Sequence, residues 1–246
     1  MKVVNRSNVP EMIFKGLQKD EYDYDNAGDF SATSLIKPIQ ITILEKRYWD
    51  KIEVDAIDRL WSVFGSAIHK IYEDIEIENS ESETRLSTQI RNKIITGKFD
   101  RRVGDHLYDL KVTSAWTLRY GSRLDEWKLQ LSIYRYLYWR VNEIELSDTA
   151  YILAILRDWS EKNVGINNYP DAPIVQVELK LEPISYMQHW IYKRVDDILC
   201  GESLSDDNLP ECTPEEKWYN EKKGNIRCEK YCNVKEFCKQ RERENE

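Results

Sequence analysis

Gly97-Lys98-Phe99-Asp100-Arg101-Arg102-Val103-Gly104-Asp105-His106-Leu107-Tyr108-Asp109-Leu110-Lys111-Val112 is the stretch whose pairing decides the fold. Gly104-Asp105 is a two-residue turn signal between strand-like runs, so the segment reads as a β-hairpin. That turn pairs Val103 with His106 and Arg102 with Leu107. It sets Asp100 directly opposite Asp109, with Cβ atoms about 5 Å apart. Like charges in that position destabilise a sheet unless a cation lies between them. A divalent metal suits the place, because hard cations take carboxylate oxygens. Lys111, two residues past Asp109, lies on the same strand face and reaches toward whatever the metal binds. On the hairpin alone a second reading stands beside this one. Lys98 would oppose Lys111 in the same register, and the four charges would form a solvated checkerboard.

Outward from the hairpin, strands are predicted over 97–103 and 106–112, with another before them over 88–95. Upstream, residues 55–78 read as one long helix, because Ile57, Leu60, Trp61, Phe64, Ile68, Ile71, Tyr72 and Ile75 recur at spacings of three and four. A polar break is expected over 79–85. A short helix starts near Ser34, capped by Ser31 or Thr33. Before it the chain is polar and acidic around Asp20 to Asp29, and reads as irregular. Downstream, a helix is predicted over 123–142 and a strand over 149–157. A proline-bearing loop, a strand over 174–181 and a helix over 184–200 follow. The order of helix, three strands, helix, strand is an α/β arrangement on a mixed sheet.

The chain has 246 residues, 41 % of them hydrophobic and 33 % charged, with a net charge of −8. This excludes a histone-like polycation but not a local nucleic-acid groove, since a nuclease combines a basic channel with an acidic metal site. No run of about 18 apolar residues is present, so no membrane span is expected. Without a secretory signal layout, a cytoplasmic protein is expected, bacterial or phage-encoded. In that setting cysteines serve as metal ligands or free thiols rather than disulfides.

Two helices carry polar groups that could serve the hairpin. His69 and Glu73 are four apart and share a helix face, and Gly65 lies one turn earlier on it. A mid-helix glycine costs about 1 kcal/mol against alanine, and close approach of a backbone or ligand would explain it. Neutral imidazole is a common metal ligand, although a His–Glu surface pair explains the spacing equally simply. In the second helix Gln130 sits beside an apolar stripe of Leu124, Trp127, Leu131, Tyr134, Tyr138 and Val141. It is either a half-exposed edge residue or, with Tyr134, a group that orients a phosphate or water. Trp116, Arg119, Tyr120, Arg123 and Lys128 follow the hairpin. Interleaved aromatic and basic residues suit single-stranded DNA, through stacking and backbone attraction, and they also suit ordinary helix-entry packing. Arg101 and Arg102 could face phosphates.

Four of the five cysteines fall late, as Cys212-x15-Cys228-x3-Cys232-x5-Cys238. Four thiolates complete either a zinc site or an iron–sulfur cluster, and a polar tail would gain stability from such a staple. Four unrelated thiols are the plainer reading. Cys200 follows an apolar helix and is expected in a core.

Taken in order, Gly65-x-x-x-His69, Gly97-x-x-Asp100, Asp109-x-Lys111 and Gln130-x-x-x-Tyr134 resemble the motifs of the RecB-like branch of the PD-(D/E)XK nucleases. That branch includes the RecB and AddAB nuclease domains, the CRISPR-associated adaptation exonucleases and phage recombination nucleases. The resemblance runs from about Ser31 to Leu156. It departs at Asp109, where many relatives have glutamate, and in lacking a proline before Asp100. It implies a restriction-endonuclease-like core over residues 1–204, with an N-terminal helical segment. It implies a cysteine-rich metal- or cluster-binding tail over 205–246, packed on that core. His69, Asp100, Asp109 and the Leu110 carbonyl would hold one or two Mg²⁺ or Mn²⁺ ions. Lys111 would act on the attacking water and the phosphorane, and Gln130 and Tyr134 would steady it. Arg101, Trp116, Arg119, Arg123 and Lys128 would contact DNA. Many relatives carry a [4Fe–4S] cluster on a similar late triad plus one distant upstream cysteine. Here the triad has one extra residue and Cys212 would replace the upstream ligand, so zinc remains the alternative. The implied activity is a metal-dependent DNA exonuclease on single-stranded or end-exposed DNA in recombination, repair or phage DNA processing, with a recombination or helicase partner. A structure-selective endonuclease and a non-catalytic DNA-binding module of the same fold are the alternatives.

Overall fold

The computed structural model describes residues 1–18 and 28–244. The acidic stretch beginning at Asp20 falls largely outside the described residues. In chain order the elements are β1 (Lys2–Val4), α1 (Glu11–Gln18), β2 (Phe30–Ser31), α2 (Ala32–Ile36), α3 (Ile39–Tyr48) and β3 (Glu53–Asp55). Then come α4 (Leu60–Glu73), β4 (Ser80–Ile90), β5 (Lys93–Val103), β6 (His106–Thr113), α5 (Ala115–Tyr120) and α6 (Leu124–Asn142). The chain ends through β7 (Thr149–Leu156), β8 (Ile174–Lys180), α7 (Ile184–Glu202), β9 (Tyr219–Asn220), β10 (Gly224–Asn225) and α8 (Lys239–Glu244). Two compact units result, one of Met1–Asp23, Lys37–Trp61 and Tyr192–Glu246, the other of Tyr24–Ile36 and Ser62–Ile191. The chain therefore does not divide at the linear boundary expected at 204. The first segments group with the cysteine-bearing tail.

The second unit is built on a sheet ordered β2-β5-β6-β7-β8, with β4 also paired to β5. β5–β6 and β7–β8 are antiparallel and β6–β7 is parallel, so the sheet is mixed as expected. The parallel step is made through α5 and α6, the crossover such a connection requires. β7 alternates strictly, burying Ala150, Ile152, Ala154 and Leu156. Phe99, Leu107, Trp127, Leu131 and Leu137 are also fully buried. Gly97 permits the close approach of α6 to β5. A Cβ there would meet Leu137 Cδ1 at 2.7 Å and Tyr134 Cδ1 at 2.9 Å.

The hairpin turns at Gly104, with φ +61°, and pairs Val103 with His106, Arg102 with Leu107 and Arg101 with Tyr108, the register read from the sequence. The ladder stops there. Asp100 is not bridged to Asp109. Its carboxylate instead accepts the Leu110 backbone N–H at 2.7 Å. Nor does Lys98 face Lys111. It pairs with Arg85 on β4 and forms an ion pair with Glu83. The charge checkerboard is thus replaced by two separate pairs.

Three other expectations change. Residues 80–85 are strand, not a break, and β4 runs over Ser80–Ile90 rather than 88–95. They form a polar edge strand whose first fully buried side chain is Leu86, so no hydrophobic alternation announces them. α4 is shorter than 55–78 and buries none of its residues, so its apolar stripe is not core. Gly65 has open space where a Cβ would stand, so close approach of another backbone does not explain it. The helix near Ser34 is α2, and Ser31 Oγ accepts the Ser34 N–H, as a cap should.

In the first unit β1 pairs parallel with β3, and α3 buries Gln40, Ile41, Ile43 and Leu44. Arg47 ties α3 to the segment after α7, donating to the Glu202 and Leu204 carbonyls at 3.0 and 2.6 Å and pairing with Asp206. Phe237 stacks on Tyr48 with ring centroids 4.3 Å apart. Cys200 is exposed rather than in a core, because it falls on the outer face of α7 near its end. Among the described residues no helix is long and apolar enough to cross a membrane.

Candidate active site

Two neighbouring strands, β5 and β6, and two helices, α4 and α6, carry the predicted site residues. Asp109 follows Leu107 by two residues, shares its face of β6, and is 1 % exposed. Lys111 Nζ lies 2.6 Å from Asp109 Oδ2 and donates to Gln130 Oε1 at 3.3 Å. Gln130 Nε2 in turn donates to the Tyr134 hydroxyl at 2.8 Å. Gln130 and Tyr134 are one helical turn apart on α6, which makes this chain possible. Across the sheet, His69 Nδ1 on α4 stands 3.5 Å from Asp100 Oδ2. His69 and Glu73 both border a cavity of about 320 Å³, together with Glu83, Asp100, Leu110 and apolar residues of β7 and β8.

The charges respond to this crowding. Burial, and then the nearby Asp109 carboxylate, push the Asp100 carboxyl well above the usual range. Burial, and then the Lys111 ammonium, pull His69 below its ordinary value, which favours the neutral imidazole a metal needs. Burial alone would lower Lys111, but the Asp109 and Asp100 carboxylates outweigh it and raise its pKa, so it stays charged. Asp109 Oδ1 is buried with no hydrogen-bond partner among the described residues. Oδ2 also lacks a well-aligned hydrogen bond, yet its 2.6 Å ion pair with Lys111 leaves Oδ1 as the orphan. An orphaned buried carboxylate oxygen, a neutral imidazole and a second acid form a donor set that fits a divalent cation.

Glu83 was not singled out from the sequence. One ligand atom from each of His69, Glu83 and Asp100 lies within 4.8 Å of the others. Glu83 sits opposite Asp100 between the pairs Ser82–Arg101 and Thr84–Phe99, unbridged, with φ +48°. A non-glycine residue held there costs about 1–3 kcal/mol, and such positions gather at functional sites.

The predicted DNA contacts have other partners. Arg101 donates to the Tyr72 and Glu73 carbonyls at 2.9 and 3.3 Å, closing the end of α4. Arg102 pairs with Glu81 at 2.7 Å. Lys128 pairs with Glu182 at 2.5 Å and Arg123 with Glu126 at 2.6 Å. The Arg119 guanidinium stands 5.1 Å from both the Trp116 and Tyr120 rings, which lie nearly parallel, and Tyr120 is exposed.

In the first unit, Cys212, Cys228, Cys232 and Cys238 line one small cavity of about 20 Å³. The buried Gln40 carbonyl oxygen accepts from Cys212 Sγ at 3.5 Å and Cys238 Sγ at 3.4 Å. Burial first, then neighbouring charge, pushes the Cys212 thiol up to about 12, and burial raises Cys232 to about 11. No three of these sulfurs lie within 4.8 Å of one another among the described residues. Tetrahedral zinc, with sulfurs ~2.3 Å away, needs them about 3.8 Å apart. Zinc would draw the sulfurs inward and a cluster would spread them. The four thiols around one small cavity fit a thiolate-bound centre.

No protein-family model and no curated protein matches this sequence. Among solved structures, SSO0001 superposes with a TM-score of 0.53 at 17 % identity, over 93 % of this chain and 95 % of that one. A phage-related exonuclease from Haemophilus somnus 129PT matches with a TM-score of 0.42 at 14 % identity, over 68 % of this chain and 90 % of that one. The likeness to SSO0001 is one of fold.

Proposed function

We propose that this chain is a divalent-metal-dependent deoxyribonuclease, acting as an exonuclease on single-stranded or end-exposed DNA. The observation that supports this most is the unbroken line Asp109–Lys111–Gln130–Tyr134 beside His69 and Asp100, all from positions expected to be catalytic. His69, Asp100, Asp109 and the Leu110 carbonyl would hold Mg²⁺ or Mn²⁺. When bound, such an ion lowers the pKa of its water and offsets charge on the scissile phosphate.

The protein's own groups do the positioning. Lys111 stays protonated between two carboxylates, so it serves as a fixed positive charge toward the phosphate rather than as a general base. Gln130 holds the ammonium from α6, and Tyr134 fixes which end of the amide faces it. Leu110 N–H orients Asp100. Trp116, Arg119 and Tyr120 offer stacking and charge to an unpaired strand. Arg101, Arg123 and Lys128 are assigned no DNA contact, since their charges are already engaged. The four tail cysteines would carry a [4Fe–4S] cluster, or zinc. An ultraviolet–visible spectrum of anaerobically purified protein separates the two, with broad absorbance near ~400 nm for the cluster.

The test is degradation of end-labelled linear DNA in Mg²⁺ or Mn²⁺. Wild-type protein should degrade it and lose activity in chelator. Asp109→Ala and Lys111→Ala should each lower the rate by about 10²-fold or more, equivalent to roughly 3 kcal/mol of transition-state stabilisation. Undiminished rates in both would remove the site from the proposal. A closed circular substrate should survive, and its linearisation would indicate an endonuclease.

A further inference from the structure

We infer that Glu83 is a further direct ligand of the divalent cation that His69 and Asp100 would hold. The role this gives the ion in cleavage rests on the nuclease reading, but the binding does not. The three side chains come from α4, β4 and β5, and one donor atom from each lies within 4.8 Å of the others. Ligands ~2.1 Å from Mg²⁺ or Mn²⁺ stand about 3 Å apart when adjacent and about 4.2 Å apart when opposite. The triad therefore needs only small adjustments to close on an ion.

The backbone supports a specific task for Glu83. A glutamate at φ +48° interrupts the β4–β5 pairing at the one level where Asp100 stands opposite. Glycine would meet that conformation more easily than glutamate does. Lys98 meets Glu83 Oε2 and balances its charge, while the carboxylate offers Oε1 as a second donor. One imidazole and two carboxylates neutralise a divalent ion and leave octahedral positions open for water and a phosphate oxygen. The imidazole favours Mn²⁺ over Mg²⁺.

Isothermal titration with MnCl₂, without DNA, tests this on the full-length protein. Glu83→Gln should weaken Mn²⁺ binding at least tenfold, and Glu81→Gln, two residues away and paired with Arg102, should not. Glu83→Gly relaxes the backbone while removing the carboxylate, so it should unfold no more easily than wild type and still lose Mn²⁺ affinity. Wild-type affinity in both Glu83 variants overturns the assignment. Parallel assays on linear DNA keep the two claims apart. Glu83-dependent Mn²⁺ binding in a protein that cleaves nothing supports the triad and refutes the nuclease reading. Cleavage with Mn²⁺ binding indifferent to Glu83 does the reverse.

Discussion

Asp100 carries an unfavourable charge: it is crowded by burial and by Asp109, so its folded pKa lies above the ordinary 3.8. The folded state then holds its proton more tightly than the unfolded state. Stability contributed by the protonated carboxyl is full below about pH 4 and is lost as pH rises through the folded value. In chelator, Asp100→Asn should therefore raise the melting temperature at pH 7 by a few degrees, and the gain should vanish near pH 4. Thermal scans at the two pH values check this, and a lower melting temperature at pH 7 would contradict it. His69 has the opposite slope. Its folded pKa lies below 6.5, so it costs stability as pH falls through that value. At this scale much was legible. His69, Asp100, Asp109, Lys111, Gln130 and Tyr134 were all named from residue type and spacing, and they converge. Glu83 was not, because it lies in a polar run with no apolar alternation. Its place opposite Asp100 depends on a strand pairing that the run does not signal.

Elements were legible where they bury something on a regular period. α6 and β7 were placed within about a residue, since each has a clear apolar period. β4 was misread because its first half buries no complete side chain. α4 was recognised as a helix, though drawn too long, and its apolar stripe is not buried: periodicity shows that a helix is amphipathic, not what covers it. The hairpin register was correct as far as Arg101–Tyr108. It failed at Asp100 because a side-chain acceptor took the N–H that continued pairing would have used. The contact of α6 with β5 is the element-scale point most open to test. Gly97→Ala places a Cβ about 2.7 Å from Leu137 Cδ1, and should cost about 1–3 kcal/mol in urea unfolding. Because Tyr134 is the other neighbour, DNA cleavage should fall as well, with no change in the unfolding slope. An unaffected urea midpoint would mean that α6 can move away freely.

At the scale of the whole molecule, the chain keeps two chemistries in two compact units, carboxylates and imidazole in one and thiols in the other. That grouping could not be read along the sequence, since the first unit is assembled from three separated segments. Under the proposed thiolate-bound centre, losing one of its cysteines should act on one unit more than the other. In Cys232→Ser, hydrogen exchange should quicken in α3 and over 206–244 while β5, β6 and β7 keep their protection. Equal loss across both would show that the thiol centre supports the whole chain.

Arg101, next to Asp100 in β5, holds the last carbonyls of α4, the helix that bears His69. The imidazole's helix is thereby moored to the strand of its partner acid by side-chain-to-main-chain bonds that involve neither donor group. For the proposed cation this is a claw already set, and what a weak ligand loses to wandering would be spared. Such a claw lets go all at once, when helix and strand part, rather than finger by finger.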